Sequence, residues 1–105
     1  MASTRLTRSI TGSNAKKATL SFWVKRSKLG GSAYVLFTNR IDASNDTLVR
    51  FTSDLIDFKD YQSGSNAGRL ETSQKFRDIG AWYHVVISID TTLGTADDRQ
   101  KMYIN

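Results

Sequence analysis

The sequence predicts an all-β domain, an antiparallel β-sandwich, and three observations carry that expectation. Short segments of apolar and polar residues alternate at period two, turn-forming Gly, Asn, Asp and Ser fall between them, and no stretch carries the 3.6-residue apolar repeat of an amphipathic helix. At 105 residues the length fits one domain, 1–105, and folding removes roughly two-thirds of the unfolded surface from water.

Taken in order, Thr19 to Lys25 is the first strand: Leu20, Phe22 and Val24 form an apolar face, and the opposite face carries Trp23. Ser27 to Ser32 is a turn with two glycines. Ala33 to Thr38 is a continuous apolar run, the pattern of a strand buried on both faces, with Tyr34 in the core. Asn39 to Asp46 reads as loop. In Thr47 to Thr52, Leu48 and Arg50 point one way and Val49 and Phe51 the other. Ser53-Asp54 fits a tight turn into Leu55 to Lys59, where Ile56 and Phe58 share a face. Asp60 to Gly68 is expected to be a mobile surface loop, Arg69 to Phe76 a weaker strand, and Asp78 to Gly80 a turn. Trp82 to Asp90, rich in aromatic and β-branched residues, is the strongest strand. A polar loop, Thr91 to Asp98, leads to a last strand, Arg99 to Ile104.

Composition excludes several classes. With 39% hydrophobic and 24% charged residues the chain can pack a core, which argues against disorder. It has no Cys, so disulfides and thiolate zinc sites are impossible. No apolar run approaches the roughly 20 residues of a membrane span, and Met1 to Ile10, with Arg5 and Arg8 inside it, does not read as a secretory signal. The expectation is a soluble protein made in the cytoplasm, without a membrane partner. The net charge is +5, with the densest basic grouping at Lys16, Lys17, Lys25, Arg26 and Lys28. These fall at strand ends and a turn with no nucleic-acid motif, so they read as solvated surface and nucleic acid is not an expected partner.

Two stretches carry a family resemblance. Leu20-Ser21-Phe22-Trp23-Val24-Lys25-Arg26, and Ala81 to Thr92 followed by Asp98-Arg99-Gln100-Lys101-Met102-Tyr103-Ile104-Asn105, together resemble the two ordered motif blocks of concanavalin A-like, laminin G-like (LamG) jelly-roll sandwiches. The form is that of domains in tailed-bacteriophage virion proteins, tail fibres and capsid decoration proteins among them. In that family the equivalent Asn is usually followed by Gly and further strands. Here the sequence stops at Asn105, where a last strand either closes a sheet or marks a sandwich truncated at its C-terminus. The resemblance implies a structural component of a virion, assembled in the host cytoplasm, whose partners are other virion proteins or copies of itself. The alternative is a carbohydrate-binding module for host surface glycans.

The residues themselves argue against catalysis. Retaining glycosidases need two carboxyl groups roughly 5 Å apart, whereas Asp54, Asp57 and Asp60 are spaced by three, which alternates faces of a strand. Neither a nucleophile elbow nor a phosphate-cradling glycine loop is present. For glycan contact, Tyr61 with Asp60 and Asn66 offers an aromatic ring among polar groups. Asp42, Asn45 and Asp46, or alternatively Asp90, Asp97 and Asp98, have the oxygen chemistry of a calcium site, set against the reading that they cap turns; no other cofactor is expected. Trp23, Trp82, His84 and Tyr103 are expected to be structural anchors. Trp82 is assigned to the inter-sheet core and His84, the one His of the chain, to a satisfied core or interface position.

Overall fold

A computed structural model of the chain describes residues 16–105 together with Thr7, Ser9 and Thr11. Among the described residues seven strands follow in order: β1 (Lys17–Lys25), β2 (Tyr34–Asp42), β3 (Asn45–Thr52), β4 (Leu55–Gln62), β5 (Ser65–Glu71), β6 (Trp82–Asp90) and β7 (Gln100–Ile104). A 3-10 turn at Ala96–Asp98 precedes β7. The strands form a three-stranded sheet of order β1-β6-β7 and a four-stranded sheet of order β2-β3-β4-β5, with every pairing antiparallel. The predicted all-β sandwich is therefore present.

Alternation fixes the core. Val49 and Phe51 of β3, Ile56 and Phe58 of β4, and Val85 and Ile87 of β6 are buried between the sheets, flanked by Leu20, Phe22 and Val24 of β1. Each such side chain, fully removed from water, stabilises the fold by roughly 1.5–3 kcal/mol. Phe76 joins them from the irregular segment between β5 and β6. It is fully buried, and its ring meets Phe51 and Tyr83 edge to face, with centroids 6.2 and 5.0 Å away. One residue outside any strand thus touches β3 of one sheet and β6 of the other.

An ion pair closes the same end. Arg26, just past β1, places Nη1 2.8 Å from Asp54 Oδ1 and donates to the Phe76 carbonyl at 2.6 Å. Its guanidinium lies 4.5 Å from the centroid of the Phe51 ring. Asp54 Oδ1 also accepts the Gly30 N–H at 2.8 Å, and its Oδ2 faces Arg77 Nε at 3.2 Å. Arg26 therefore leaves the solvated group to which its neighbours Lys25 and Lys28 belong: a carboxylate, a carbonyl and an aromatic face take the place of water around it, while its Nη2 has no hydrogen-bond partner among the described residues.

Several elements depart from the expected boundaries. Asn39 to Asp46 is not a loop: β2 runs to Asp42 and β3 starts at Asn45, leaving a two-residue turn. Asp42 makes that turn possible by accepting the Ser44 N–H at 2.7 Å and the Asn45 amide at 3.0 Å. Asp60 to Gly68 is likewise strand on both sides of the turn Ser63-Gly64. The fourth strand of that sheet is Ser65–Glu71 rather than Arg69 to Phe76. Strand β2 is not buried on both faces: it is an edge strand, and Val35, Leu36 and Phe37 are exposed.

The two long sides of the sandwich differ. On one, β5 and β7 contact each other, and Gly68 leaves room for Gln100, whose side-chain amide a Cβ there would meet. On the other, the edges of β1 and β2, unpaired among the described residues, flank an opening. It holds clefts of about 280 Å³, beside Val24, Tyr34 and Phe51, and about 370 Å³, beside Leu20, Phe37 and Ile87.

The tips of the β2–β3 and β4–β5 hairpins, at one end of the four-stranded sheet, are tied together, with the Gly64 N–H donating to the Ser44 carbonyl at 3.1 Å. Gly64 has φ +78°, a left-handed conformation that costs a side chain roughly 1–2 kcal/mol. Gly64→Ala is expected to lower unfolding stability by about 1 kcal/mol in urea titration. An unchanged midpoint would show that the turn relaxes freely.

Candidate functional site

The outward face of the three-stranded sheet carries three exposed aromatic residues, Trp23, Trp82 and Tyr103. Because Leu20, Phe22 and Val24 of β1 and Tyr83, Val85 and Ile87 of β6 pack inward, the alternate positions must point out. Register then pairs Trp23 with His84 and Lys25 with Trp82 across β1 and β6, and Val86 with Tyr103 across β6 and β7. Trp23 and Trp82 are 60% and 61% exposed, and Tyr103 is 57% exposed. Trp82 therefore does not anchor the inter-sheet core as its size suggested, and Trp23 and Tyr103 stand on the same open face. Position along the strand, not side-chain area, decides which way the indole points.

His84 is held within this face. Its ring stacks on Trp23 with centroids 4.8 Å apart and planes 14° from parallel, and its Nε2 lies 2.9 Å from Ser21 Oγ. It is hydrogen-bonded and stacked on the outer surface of the sheet, outside the inter-sheet core. Its stacking covers one face of the Trp23 indole and leaves the other to solvent.

The cations on this face are unequal. Lys17 pairs with Asp90 at 3.1 Å and Lys101 with Asp98 at 3.2 Å. Lys25, between the two indoles, has no acidic partner among the described residues. Asp90 also accepts the hydroxyl and N–H of Thr92, the main reasons its carboxyl is held below the usual range, with Lys17 adding to them. Flat apolar rings beside a free ammonium suit contact with a ring-shaped, polar ligand better than any proton transfer.

The residues expected to contact glycan are only partly brought together. Tyr61 faces Asn66 across β4 and β5, while Asp60 is held by the Thr47 hydroxyl at 2.9 Å and the Gln62 amide at 2.9 Å. Tyr61 and Asp60 border one cleft of about 350 Å³ with Asn45 and Gln62, and Asn66 is not on its wall. The Tyr61 hydroxyl donates to the Gly64 carbonyl, and Lys59 Nζ sits 4.2 Å from its ring centroid. Much of this ring is already engaged within the hairpin.

The proposed calcium donors serve their own turns. Asp42 is occupied as described, an arrangement that lowers its pKa chiefly through the Ser44 N–H. Asn45 Oδ1 accepts the Ser63 N–H at 3.2 Å, and Asp46 accepts the Thr38 hydroxyl at 3.2 Å. No cluster of three His, Cys, Asp or Glu able to hold a metal ion occurs among the described residues.

The acidic segment splits as its spacing predicts. Asp57, fully buried on the outer face of the four-stranded sheet, is clamped by Arg50 Nη2 at 2.8 Å and Arg69 Nε at 2.9 Å. Asp60 lies beside Phe58 and Ile87 at the inter-sheet cleft.

Two packed antiparallel sheets place the chain among the β-sandwiches. Within them, the family model described as Concanavalin A-like lectin/glucanases superfamily matches residues 3–105, and the chain belongs to that family. No curated protein and no solved structure matches it.

Proposed function

We propose that the chain is a non-enzymatic structural component of a tailed-phage virion, a fibre, decoration or tail-associated subunit that uses its sandwich as a rigid module. The observation that carries this reading is the phage-like form of the two motif blocks, whose residues make up β1, β6 and β7 of a single sheet. Of the three aspartates in the acidic segment, Asp54 is paired with Arg26 and Asp57 with Arg50 and Arg69, while Asp60 is held by the Thr47 hydroxyl and the Gln62 amide. Neighbouring virion proteins or further copies are the partners in this reading, and the edges of β1 and β2, unpaired among the described residues, are where a strand from one of them would add. The protein would assemble in the host cytoplasm and reside in the particle. Quantitative mass spectrometry of purified particles should find it at a fixed copy number per virion; particles that lack it would refute the reading.

A second reading, a carbohydrate-binding module for host surface glycans, is favoured by the exposed face of Trp23, Trp82 and Tyr103. It moves the glycan contact away from Tyr61. On a glycan array, Trp23→Ala should lose the signal by tenfold or more, while Tyr61→Ala keeps it. A flat array with the unaltered protein at high concentration would sink this reading.

A further inference from the structure

We infer that the outer face of β1, β6 and β7 takes an acidic polysaccharide, with Trp23 and Trp82 as stacking surfaces and Lys25 as the group that selects for a carboxylate. The inference rests on the carbohydrate-binding reading and adds to it the charge class of the ligand. Trp23, Lys25, Trp82 and His84 form one square on the sheet: two cross-strand pairs in adjacent rows, with the indoles on one diagonal and Lys25 and His84 on the other. Successive outward residues on a strand stand roughly 6.6 Å apart, so the indoles and the ammonium lie within reach of neighbouring sugar rings. The C–H face of a pyranose is weakly positive and packs on the negative face of an indole. Trp23 retains one free face because His84 covers the other.

Charge distinguishes the ligand. Lys17 and Lys101 are neutralised by Asp90 and Asp98, whereas among the described residues Lys25 is left without a carboxylate. A single uncompensated ammonium between two indoles complements a carboxylate carried on a sugar ring. It is too little for single-stranded nucleic acid, which needs a cationic groove that follows successive phosphates. Shape points to a polymer: Trp23, Trp82 and Tyr103 border none of the clefts described above, and Lys25 stands at the wall of the one of about 280 Å³, so the ligand lies along the exposed face and passes the cleft only at Lys25.

Affinity electrophoresis and calorimetry of the whole chain test this with polygalacturonate, alginate, methyl-esterified polygalacturonate and dextran. The methyl ester keeps the polygalacturonate backbone but removes its charge. Binding to at least one acidic polymer is expected, weakened about tenfold by Lys25→Gln, the size of one lost charge-assisted hydrogen bond, and falling as salt rises. Trp23→Ala and Trp82→Ala should each remove it. Both side chains are exposed, so a retained thermal midpoint will show that the variants fold. Equal binding to acidic and neutral polymers, unaffected by Lys25→Gln, would overturn the inference and leave the carbohydrate reading standing. Binding to none of the four would overturn both. Tighter binding to an oligothymidine, or sedimentation as a dimer that Trp23→Ala returns to monomer, would assign the face to another occupant and overturn the inference as well.

Discussion

Phe76→Ala should cost about 4 kcal/mol of unfolding stability, the range for emptying an aromatic site in a packed core. The expected fall in the thermal midpoint is roughly 15–30 °C. The effect is large because the ring is fully buried and edge-on to Phe51 and Tyr83, which belong to different sheets. Removing it opens a cavity that neither sheet can close without moving. Phe76→Leu keeps most of the volume and should cost less than half as much. Urea unfolding of the two variants gives the comparison. A loss below 1 kcal/mol for the alanine variant would show that this segment collapses into the space and that Phe76 does not join the sheets.

Arg26→Ala comes next, with an expected loss of about 3 kcal/mol from a buried pair left with one partner. Its signature is a changed acid response. The Asp54 carboxyl is held down to about 2, first by the Gly30 N–H and then by the Arg26 guanidinium, against an ordinary value of 3.8. A lowered folded-state pKa adds stability that is complete above the unfolded value and drains away as the pH falls through the folded one. Asp54 therefore supports the fold fully above about pH 4 and loses that contribution between pH 4 and 2. Asp42 and Asp90, also held low, act in the same direction. Without Arg26 the Asp54 pKa should move back towards 3.8, so urea midpoints measured from pH 5 to pH 2 should fall less steeply than in the unaltered protein. Parallel slopes would remove Arg26 from the account.

Where burial follows local alternation, the fold was legible in the sequence. Leu20, Phe22 and Val24 face inward with Trp23 outward, and Val49 and Phe51 lie opposite Ile56 and Phe58, as period two requires. What failed depended on pairing. Asn39 and Asp60 look like loop chemistry because Asn and Asp fit strands poorly in isolation, yet neighbouring strands hold both in register. The apolar run at Val35 to Phe37 says nothing about whether a strand lies at an edge; topology decides that. Arg26 is buried only because Asp54, 28 residues away, meets it. The aromatic face was invisible for the same reason: Trp23 and His84 become neighbours through a pairing that joins residues 63 apart in the case of Ser21 and His84. The four aromatic positions could be picked out one by one, but their shared surface could not.

That contrast between near and distant pairings also sets an order of assembly. The four-stranded sheet is a meander in which each strand pairs with its sequence neighbour through a turn of two residues. A growing chain can complete it once Glu71 has emerged. The three-stranded sheet joins β1 to β6 over the whole length of that meander, and the entropy of closing so long a loop must be met before any of its contacts form. Until β6 is synthesised, the inward face of β1 waits without its sheet partner. The sheet that carries both motifs and the aromatic surface is thus the later to be built, on a meander already able to receive it.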